Sequence, residues 1–344
     1  MESVPLLYHP ATVLLADNSS AFLRSLALHL PQQQRAYCLY SHPMQLLQRL
    51  QFAAERRSFV NELWNNPTRQ LDQQLHRQPQ QHTNKQQSAV AAKHVAVQRQ
   101  LQDSSRFADP FAVVLEHEMS PLSGLQLCQR TVNPFVQKIL LTSCVDEQLM
   151  QRAKQQGLVD TVLYKHDHTM LQQLLHALQH AQERYFHLIS TAYANKMQLQ
   201  PQQTDFLADR AFRDFFRQLC QELGVVEHHV YGCPDGFVLL DAAGDCYGLC
   251  VQTKEQFDTL AASDVLQQAS DEVQHDIRKR RKMLCVPQAC TMPPPKQWQQ
   301  HVHPTQVVSG LDTYYCACVK QLFSLPKALG FAAYSNKIDV QFVI

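Results

Sequence analysis

The sequence predicts an α/β protein with a doubly wound, five-stranded parallel sheet in its first half, a long helix, and an α+β domain. Three observations predict this fold class. Short apolar runs alternate with amphipathic helical stretches up to about residue 169, which is typical of a parallel sheet covered by helices on both faces. Residues 170–200 then carry a continuous helical pattern. From residue 202 to residue 344, strand and helix patterns mix without that alternation.

The parallel sheet is predicted from five apolar runs, and helical stretches separate most of them. The runs are residues 11–16, 35–40, 111–115, 138–141 and 161–164. A stretch rich in Gln, His and Asn interrupts the alternation at about residues 55–107. We interpret it as a partly disordered or loosely helical insertion, since it has few large apolar groups to bury. The first domain is therefore predicted over residues 9–169, including this insertion.

Four chemically distinctive side chains follow the predicted strands. Asp17, Glu116, Thr142 and Lys165 stand at the carboxyl ends of the first, third, fourth and fifth strands. In a doubly wound sheet these ends converge on one crevice. Carboxylates suit a hard cation such as Mg²⁺, and a lysine with a hydroxyl suits phosphate oxygens. The pattern predicts a site for Mg²⁺ and a phosphoryl group.

These motifs resemble the receiver domain of two-component response regulators, which is CheY-like and flavodoxin-like in fold. The similarity covers residues 14–18, 113–125, 139–143 and 162–165. It implies that Glu116 stands at the phosphate-acceptor position and that Thr142 and Lys165 contact the phosphate. It also implies Mg²⁺ ligands at Asp17, Asn18, Glu116 and the backbone carbonyl of Glu118. A histidine kinase or a downstream regulator is the implied protein partner. The chain is similar, more distantly, to quorum-sensing response regulators of gamma-proteobacterial type.

Three departures from the family pattern occur together. The acceptor is glutamate rather than aspartate, the second acid of the first acidic pair is Asn18, and the aromatic switch position falls on Val162. A reactive site must hold its geometry to about half an ångström. We therefore expect a pseudo-receiver that signals without phosphorylation, binds Mg²⁺ weakly and is not an enzyme. In the alternative interpretation, Asp17 and Lys165 form only a structural ion pair.

The predicted connector helix, residues 170–200, carries apolar or small residues at alternating steps of three and four. These positions are Leu171, Leu174, Leu178, Ala181, Tyr185, Leu188, Ala192, Asn195 and Leu199. The pattern allows two interpretations: a heptad seam that forms a homodimer through helix 170–199, or a helix that packs on its own chain.

Residues 202–344 are predicted to form an α+β output domain that acts by binding a partner. One alternative is a DNA-binding regulator that uses the basic run Arg278, Lys279, Arg280, Arg281 and Lys282. The rest of this domain is not basic, so we expect nucleic acid not to be the partner. A second alternative is a cryptic nucleotide-using enzyme, for which the domain offers only scattered acids such as Asp241, Asp245 and Asp312.

Composition narrows the class of protein further. Lys plus Arg number 31 and Asp plus Glu 30, so no global charge favours nucleic acid or anionic membranes. No apolar run approaches the roughly 20 residues that a membrane span needs, and the first residues do not resemble a secretory signal. The 11 cysteines are scattered without a C-x-x-C pair, which favours reduced thiols in the cytoplasm.

Overall fold

The structure is a computed structural model that describes residues 3–32, 34–55, 97, 101–143, 146–196, 199, 204–231, 236–286, 292–322, 330–336 and 341–343. These residues form two compact units. The parallel-sheet unit contains the described residues from His9 to Glu55, from Ser104 to Tyr193 and from Ala333 onward. The antiparallel-sheet unit contains those up to Tyr8, Val97, residues 101–103, and Ala194 to Ala332. None of the described helices is long and apolar enough to cross a membrane.

The β-strands are, in chain order, β1 (Leu7–Tyr8), β2 (Ala11–Ala16), β3 (Arg35–Tyr40), β4 (Pro110–Leu115), β5 (Gln137–Thr142), β6 (Thr161–Tyr164), β7 (Val225–Val230), β8 (Gly236–Asp241), β9 (Cys246–Thr253), β10 (Lys282–Leu284), β11 (Val302–Pro304), β12 (Gln306–Ser309), β13 (Thr313–Lys320) and β14 (Gln341–Val343). The α-helices are α1 (Ser20–Ala27), α2 (Pro43–Glu55), α3 (Gly124–Arg130), α4 (Glu147–Gln155), α5 (Met170–Lys196), α6 (Arg210–Glu222), α7 (Lys254–Ala262), α8 (Asp271–Arg278) and α9 (Phe331–Ser335).

The parallel-sheet unit contains the five predicted strands in the order β3-β2-β4-β5-β6, and all of them are parallel. Side chains on both faces of the central strands are buried, because β2 and β4 are covered on each side. Leu14, Val113 and Leu140 lie in the core of this unit. The predicted doubly wound fold class is confirmed.

A sixth parallel strand extends this sheet. Gln341, Phe342 and Val343 of β14 pair with Cys38, Leu39 and Tyr40 of β3. The sequence-based boundaries placed all residues after 202 in the second domain, whereas the structure returns β14 to the first sheet. A three-residue strand has too few positions to show a periodic pattern, so its pairing partner could not be predicted.

Helix α5 packs on its own chain. Leu174, Leu178, Ala181 and Tyr185, four positions of the predicted heptad seam, are buried, and Asn195 is exposed. The ring of Tyr185 lies 6.2 Å from that of Phe111 in β4. These positions are therefore occupied by intrachain packing, as the second interpretation of the helix predicted.

Most of the predicted insertion, residues 56–96 and 98–100, lies outside the described residues. Val97 and Leu101 are described, and both belong to the hydrophobic core of the antiparallel-sheet unit. This part of the stretch therefore contributes apolar side chains to a core, which its polar composition did not predict.

The antiparallel-sheet unit is built on a six-stranded sheet in the order β1-β7-β8-β9-β13-β12. Helix α6 covers one face, where the ring of Phe212 lies 5.9 Å from that of Tyr314. Helix α7 covers the other face, where Phe257 lies 4.3 Å from Tyr315. Successive strand residues point to opposite faces, so the two neighbouring tyrosines of β13 anchor the two helical layers.

Candidate functional site

The strand-end cluster consists of Asp17, Glu116, Thr142 and Lys165. Asp17 follows β2, Glu116 follows β4, Thr142 ends β5 and Lys165 follows β6. Parallel strands place their carboxyl ends at one edge of a sheet, and the order β2-β4-β5-β6 makes these four positions neighbours. Asp17, Glu116 and Thr142 are buried, and hydrogen bonds and ion pairs join all four residues.

The Glu116 carboxylate is surrounded by donors. Its Oε1 accepts the Thr142 hydroxyl at 2.6 Å and the backbone N–H groups of His117 at 2.5 Å and Glu118 at 3.1 Å. Its Oε2 accepts the backbone N–H of Ser143 at 3.3 Å and lies 2.5 Å from the Lys165 ammonium. A carboxylate offers about four lone-pair sites, so these five donors occupy all of its hydrogen-bond acceptor sites.

The Lys165 ammonium joins the two carboxylates. Its Nζ lies 2.5 Å from Asp17 Oδ2 and 2.5 Å from Glu116 Oε2, and it also lies 4.6 Å from the centre of the Phe22 ring. Asp17 Oδ1 accepts the backbone N–H of Ser19 at 2.8 Å. One cation thus contacts two buried carboxylates, and the three groups together carry a net charge of −1. The Asp17–Lys165 ion pair is expected both for a phosphate site and for a purely structural pocket.

The pKa values of Glu116 and Lys165 follow from this geometry. Burial raises the pKa of Glu116, but the hydrogen bonds from Lys165, Thr142 and the Glu118 amide outweigh burial and hold that pKa below its ordinary value. Burial lowers the pKa of Lys165, but its contacts with Asp17 and Glu116 outweigh burial and raise that pKa above its ordinary value. The cluster therefore contains a glutamate anion and a lysine cation at neutral pH.

The Mg²⁺ ligands that the resemblance implies are engaged with other groups of the chain in this arrangement. The Asn18 amide donates a hydrogen bond to the Glu118 carbonyl oxygen at 3.1 Å. The Lys165 ammonium contacts both carboxylates, where the cation would need to bind. No group of three or more His, Cys, Asp or Glu side chains among the described residues is arranged to hold a metal ion. Weak Mg²⁺ binding stays a prediction, and the ammonium supplies the positive charge here.

Gly124 is required by the backbone next to Glu116, a role that the sequence did not reveal. A Cβ atom at this position would lie 2.3 Å from the Glu116 carbonyl oxygen, closer than van der Waals contact allows. The Gly124 N–H also donates to the His117 carbonyl at 3.0 Å. The glycine therefore allows the loop after β4 to pass close to the backbone of Glu116.

The basic run lies where helix α8 ends and β10 begins. Arg278 is the last residue of α8, and Lys282 is the first of β10. Arg280 contacts Asp258 at 2.7 Å, and Lys282 contacts Asp276 at 2.7 Å. Two of the five cations are thus paired with acids of the same unit, which reduces the charge available for a nucleic-acid backbone.

The acids proposed for a nucleotide-using enzyme lie apart. Asp241 and Asp245 flank the turn between β8 and β9, and Asp312 lies in the turn before β13. The β9–β13 register pairs Thr253 with Tyr314 and Tyr247 with Lys320, so these turns lie at opposite ends of the two strands. The described residues do not form an acidic cluster from these three positions.

Three consecutive polar residues of β7 are buried. They are Glu227, His228 and His229. His229 Nε2 lies 2.7 Å from Glu227 Oε1, and His228 Nε2 lies 3.0 Å from the Pro5 carbonyl oxygen. The ring of His228 packs against those of Phe216 and Phe237, at 5.1 Å and 5.7 Å.

Comparison with solved structures gives a match over the whole length. The response regulator LqsR of Legionella pneumophila matches with a TM-score of 0.76 at 23% identity, and the match covers 99% of each chain. This chain has the fold of a response regulator. The likeness includes the antiparallel-sheet unit, for which the sequence showed no specific family.

Two receiver-domain structures match a smaller part of the chain. A CheY-like receiver domain protein from Methanospirillum hungatei is 11% identical, and the match covers 51% of this chain and 95% of that one, with a TM-score of 0.31. The signal receiver domain of an HD domain-containing protein from Pseudomonas fluorescens is 19% identical, with coverages of 52% and 98% and a TM-score of 0.31. No protein-family model and no curated protein matches the sequence.

Proposed function

We propose that this chain is a response-regulator-type signalling protein whose parallel-sheet unit works without phosphorylation. In this proposal the Glu116 carboxylate is a permanent negative charge in the position that a phosphoryl group would take. The antiparallel-sheet unit passes the signal on by binding a protein partner, and the chain catalyses no reaction of its own.

One observation carries the proposal. The Thr142 hydroxyl and the Lys165 ammonium, which the resemblance assigns to the phosphate, both bind the Glu116 carboxylate directly. The backbone N–H groups of His117, Glu118 and Ser143 also donate hydrogen bonds to it. Glutamate is one methylene longer than aspartate, and this length carries its carboxylate to the donors without a phosphoryl group.

The proposal includes a histidine kinase or downstream regulator as the kind of partner, since these are the partners that a response regulator has. The cytoplasmic location expected from the cysteines and a homodimer through helix 170–199 stay predictions. Nucleic-acid binding through residues 278–282 stays the alternative, and loss of DNA binding when that run is replaced by alanine would support it.

Intact mass spectrometry tests the central claim. The full chain is incubated with Mg²⁺ and a small phosphodonor, and we expect its mass to stay unchanged. A receiver domain with an aspartate acceptor serves as the positive control for the phosphodonor. A stoichiometric phosphate adduct that disappears in Glu116→Gln would show that Glu116 is an acceptor and would refute the proposal.

A further inference from the structure

A cleft of about 540 Å³ lies in the antiparallel-sheet unit, lined by helix α7, by Val265 after that helix and by segment 292–295. The residues of α7 and its C-cap that line it, Gln256, Thr259, Leu260 and Ser263, recur at helical spacing. They therefore form one stripe of the helix. Segment 292–295 has the sequence Met-Pro-Pro-Pro. None of the described lining residues is charged, and the volume is in the range of binding pockets, roughly 300–1,000 Å³.

Hydrogen bonds fix the helical side of the cleft at both ends. The Gln256 side chain accepts the Thr253 backbone N–H at 2.8 Å, and the Thr253 hydroxyl accepts the Gln256 N–H at 3.3 Å. At the other end of α7, the Ser263 hydroxyl donates to the Leu260 carbonyl at 2.8 Å and accepts the Leu266 N–H at 3.3 Å. The stripe is therefore held in place by the two caps of its own helix.

The proline side of the cleft is also fixed. Pro294 has φ −54° and ψ 140°, close to the polyproline II conformation. The Pro293 carbonyl accepts the indole N–H of Trp298 at 2.8 Å, and Trp298 is fully buried in the core of this unit. The Pro294 carbonyl accepts the Gln297 backbone N–H at 2.8 Å. Both sides are thus rigid before binding, which lowers the entropy that a partner must remove.

The chemistry of the lining favours an aromatic group. Val265 is 44% exposed and Met292 is 56% exposed, so both offer apolar surface to a partner. Polyproline II segments are recognised by aromatic side chains, and the methionine thioether makes favourable contacts with aromatic rings. An ionic group would lose hydration in this cleft without gaining an opposite charge. A tryptophan or tyrosine combines an apolar ring with one polar group, for which the Thr259 hydroxyl is a possible partner.

We propose that this cleft binds an exposed aromatic side chain, tryptophan or tyrosine, of a protein partner. The proposal rests on the proposed function, since it names what the antiparallel-sheet unit recognises on the protein that it binds. A few aromatic side chains that fill pockets dominate the energy of many interfaces. An isolated aromatic group lacks the rest of such an interface, so we expect it to bind with a dissociation constant of about 1 mM.

NMR spectroscopy of the full chain, labelled with ¹³C at the methionine methyl groups, tests the proposal. The probe is N-acetyl-tryptophanamide. We expect the Met292 methyl signal, assigned by its loss in Met292→Leu, to move upfield under the ring current of the bound indole and to saturate. N-acetyl-leucinamide, which has the same backbone with an aliphatic side chain, should bind about tenfold more weakly.

Val265→Asp provides a test of the location. It should weaken binding of N-acetyl-tryptophanamide about tenfold, because a carboxylate beside the bound ring would lose hydration. Val307→Asp, at a valine of the same unit that is 50% exposed, is the matched control and should bind the probe like wild type. Circular dichroism of both variants checks that they are folded.

Four results would contradict the proposal. Absence of a saturable Met292 shift excludes an aromatic site in the cleft, and equal binding of the two amides shows an apolar cleft without aromatic preference. Unchanged affinity of folded Val265→Asp places the probe elsewhere. A Met292 shift that follows protein concentration alone identifies a second copy of the chain as the occupant.

The failure of this proposal and the failure of the proposed function can be distinguished. A phosphate adduct on Glu116 would refute signalling without phosphorylation and would leave aromatic binding by the cleft unaffected. Absence of aromatic binding would remove this surface as the contact with a protein partner, and the mass of the chain after incubation with the phosphodonor would still be unchanged.

Discussion

At the scale of residues, the charge balance of the strand-end cluster determines what the pocket can hold. Asp17 and Glu116 contribute two negative charges, and Lys165 contributes the one positive charge that contacts both. A phosphoryl group on Glu116 would replace its single carboxylate charge by a charge of about −1.5 to −2. Without a divalent cation, Lys165 would then face about −2.5 to −3 from this group and Asp17 together. The present cluster, in contrast, satisfies the Glu116 carboxylate through five donors.

The lowered pKa of Glu116 predicts a pH dependence of stability. Its carboxylate stabilises the folded chain above the ordinary glutamate pKa of about 4.3, and this contribution is lost as the pH falls through the lowered folded-state value. At pH 7 we expect Glu116→Gln to lower the free energy of unfolding by about 1–3 kcal/mol. The difference from wild type should shrink below about pH 4.

Urea unfolding at pH 7, pH 5 and pH 3.5 measures this difference. Glu118→Gln is the control, because the Glu118 side chain is exposed and only its backbone contacts the cluster. A difference between wild type and Glu116→Gln that is constant down to pH 3.5 would mean that the buried charge contributes no net stability.

At the scale of elements, the sequence predicted structure wherever a pattern was long enough. The central strands β2 and β4 are continuous apolar runs because both faces of the sheet are covered. Helix α5, predicted over 170–200, spans Met170–Lys196. Short strands carry no such pattern. The two residues of β1 and the three of β14 are defined by their pairing partners, which are far away in the sequence.

In the strand-end cluster, too, only some features of the polar side chains could be predicted from the sequence. The strand-end positions of Asp17, Glu116, Thr142 and Lys165 could be predicted from topology, because parallel strands end at one edge. The direction of the Asn18 amide toward the Glu118 carbonyl could not, since it depends on a contact between residues 100 positions apart. The role of Asp209 could likewise not be predicted, because its hydrogen-bond partners Leu311 and Tyr314 follow about a hundred residues later in the sequence.

Asp209 yields a prediction about how α6 is joined to the β12–β13 hairpin. Asp209→Ala removes the N-cap of α6, which costs about 1 kcal/mol. It also leaves the buried Tyr314 hydroxyl without this acceptor, which costs about 1–3 kcal/mol, and it removes the hydrogen bond from the backbone N–H of Leu311. We expect a loss of about 3 kcal/mol in total, measured by chemical unfolding of the full chain.

The control for this prediction is Asp214→Ala, which changes an exposed aspartate in the same helix. Its effect should stay within about 0.5 kcal/mol, as for most surface substitutions. Equal effects of the two substitutions would show that Asp209 does not hold the hairpin.

At the scale of the whole molecule, the parallel-sheet unit continues past its last predicted strand, β6, into helix α5. Five α5 side chains are fully buried: Leu174, Leu178, Tyr185, Phe186 and Ile189. Burying a large apolar side chain contributes about 1.5–3 kcal/mol. The sum for five is comparable with the 5–15 kcal/mol by which a whole domain is stable. The helix is therefore part of this unit's core as well as a connector.

This burial predicts how fragments behave. A fragment of residues 9–169, which ends at the sequence-predicted boundary, should fail to give a cooperative thermal transition by circular dichroism. A fragment of residues 9–196, which retains α5, should give one. Equal transitions in the two fragments would mean that α5 is not required for the core.

The first and the last described strands each belong to a different unit from the part of the chain next to them in the sequence. Strand β1 belongs to the antiparallel sheet, although β2 of the parallel sheet follows it after two residues. Strand β14 belongs to the parallel sheet, although the antiparallel-sheet unit precedes it. A gene rearrangement that moved either complete unit to another protein would have to join three separate coding segments. The two units should therefore be inherited together. Selection then acts on a substitution in one unit while the same other unit is present.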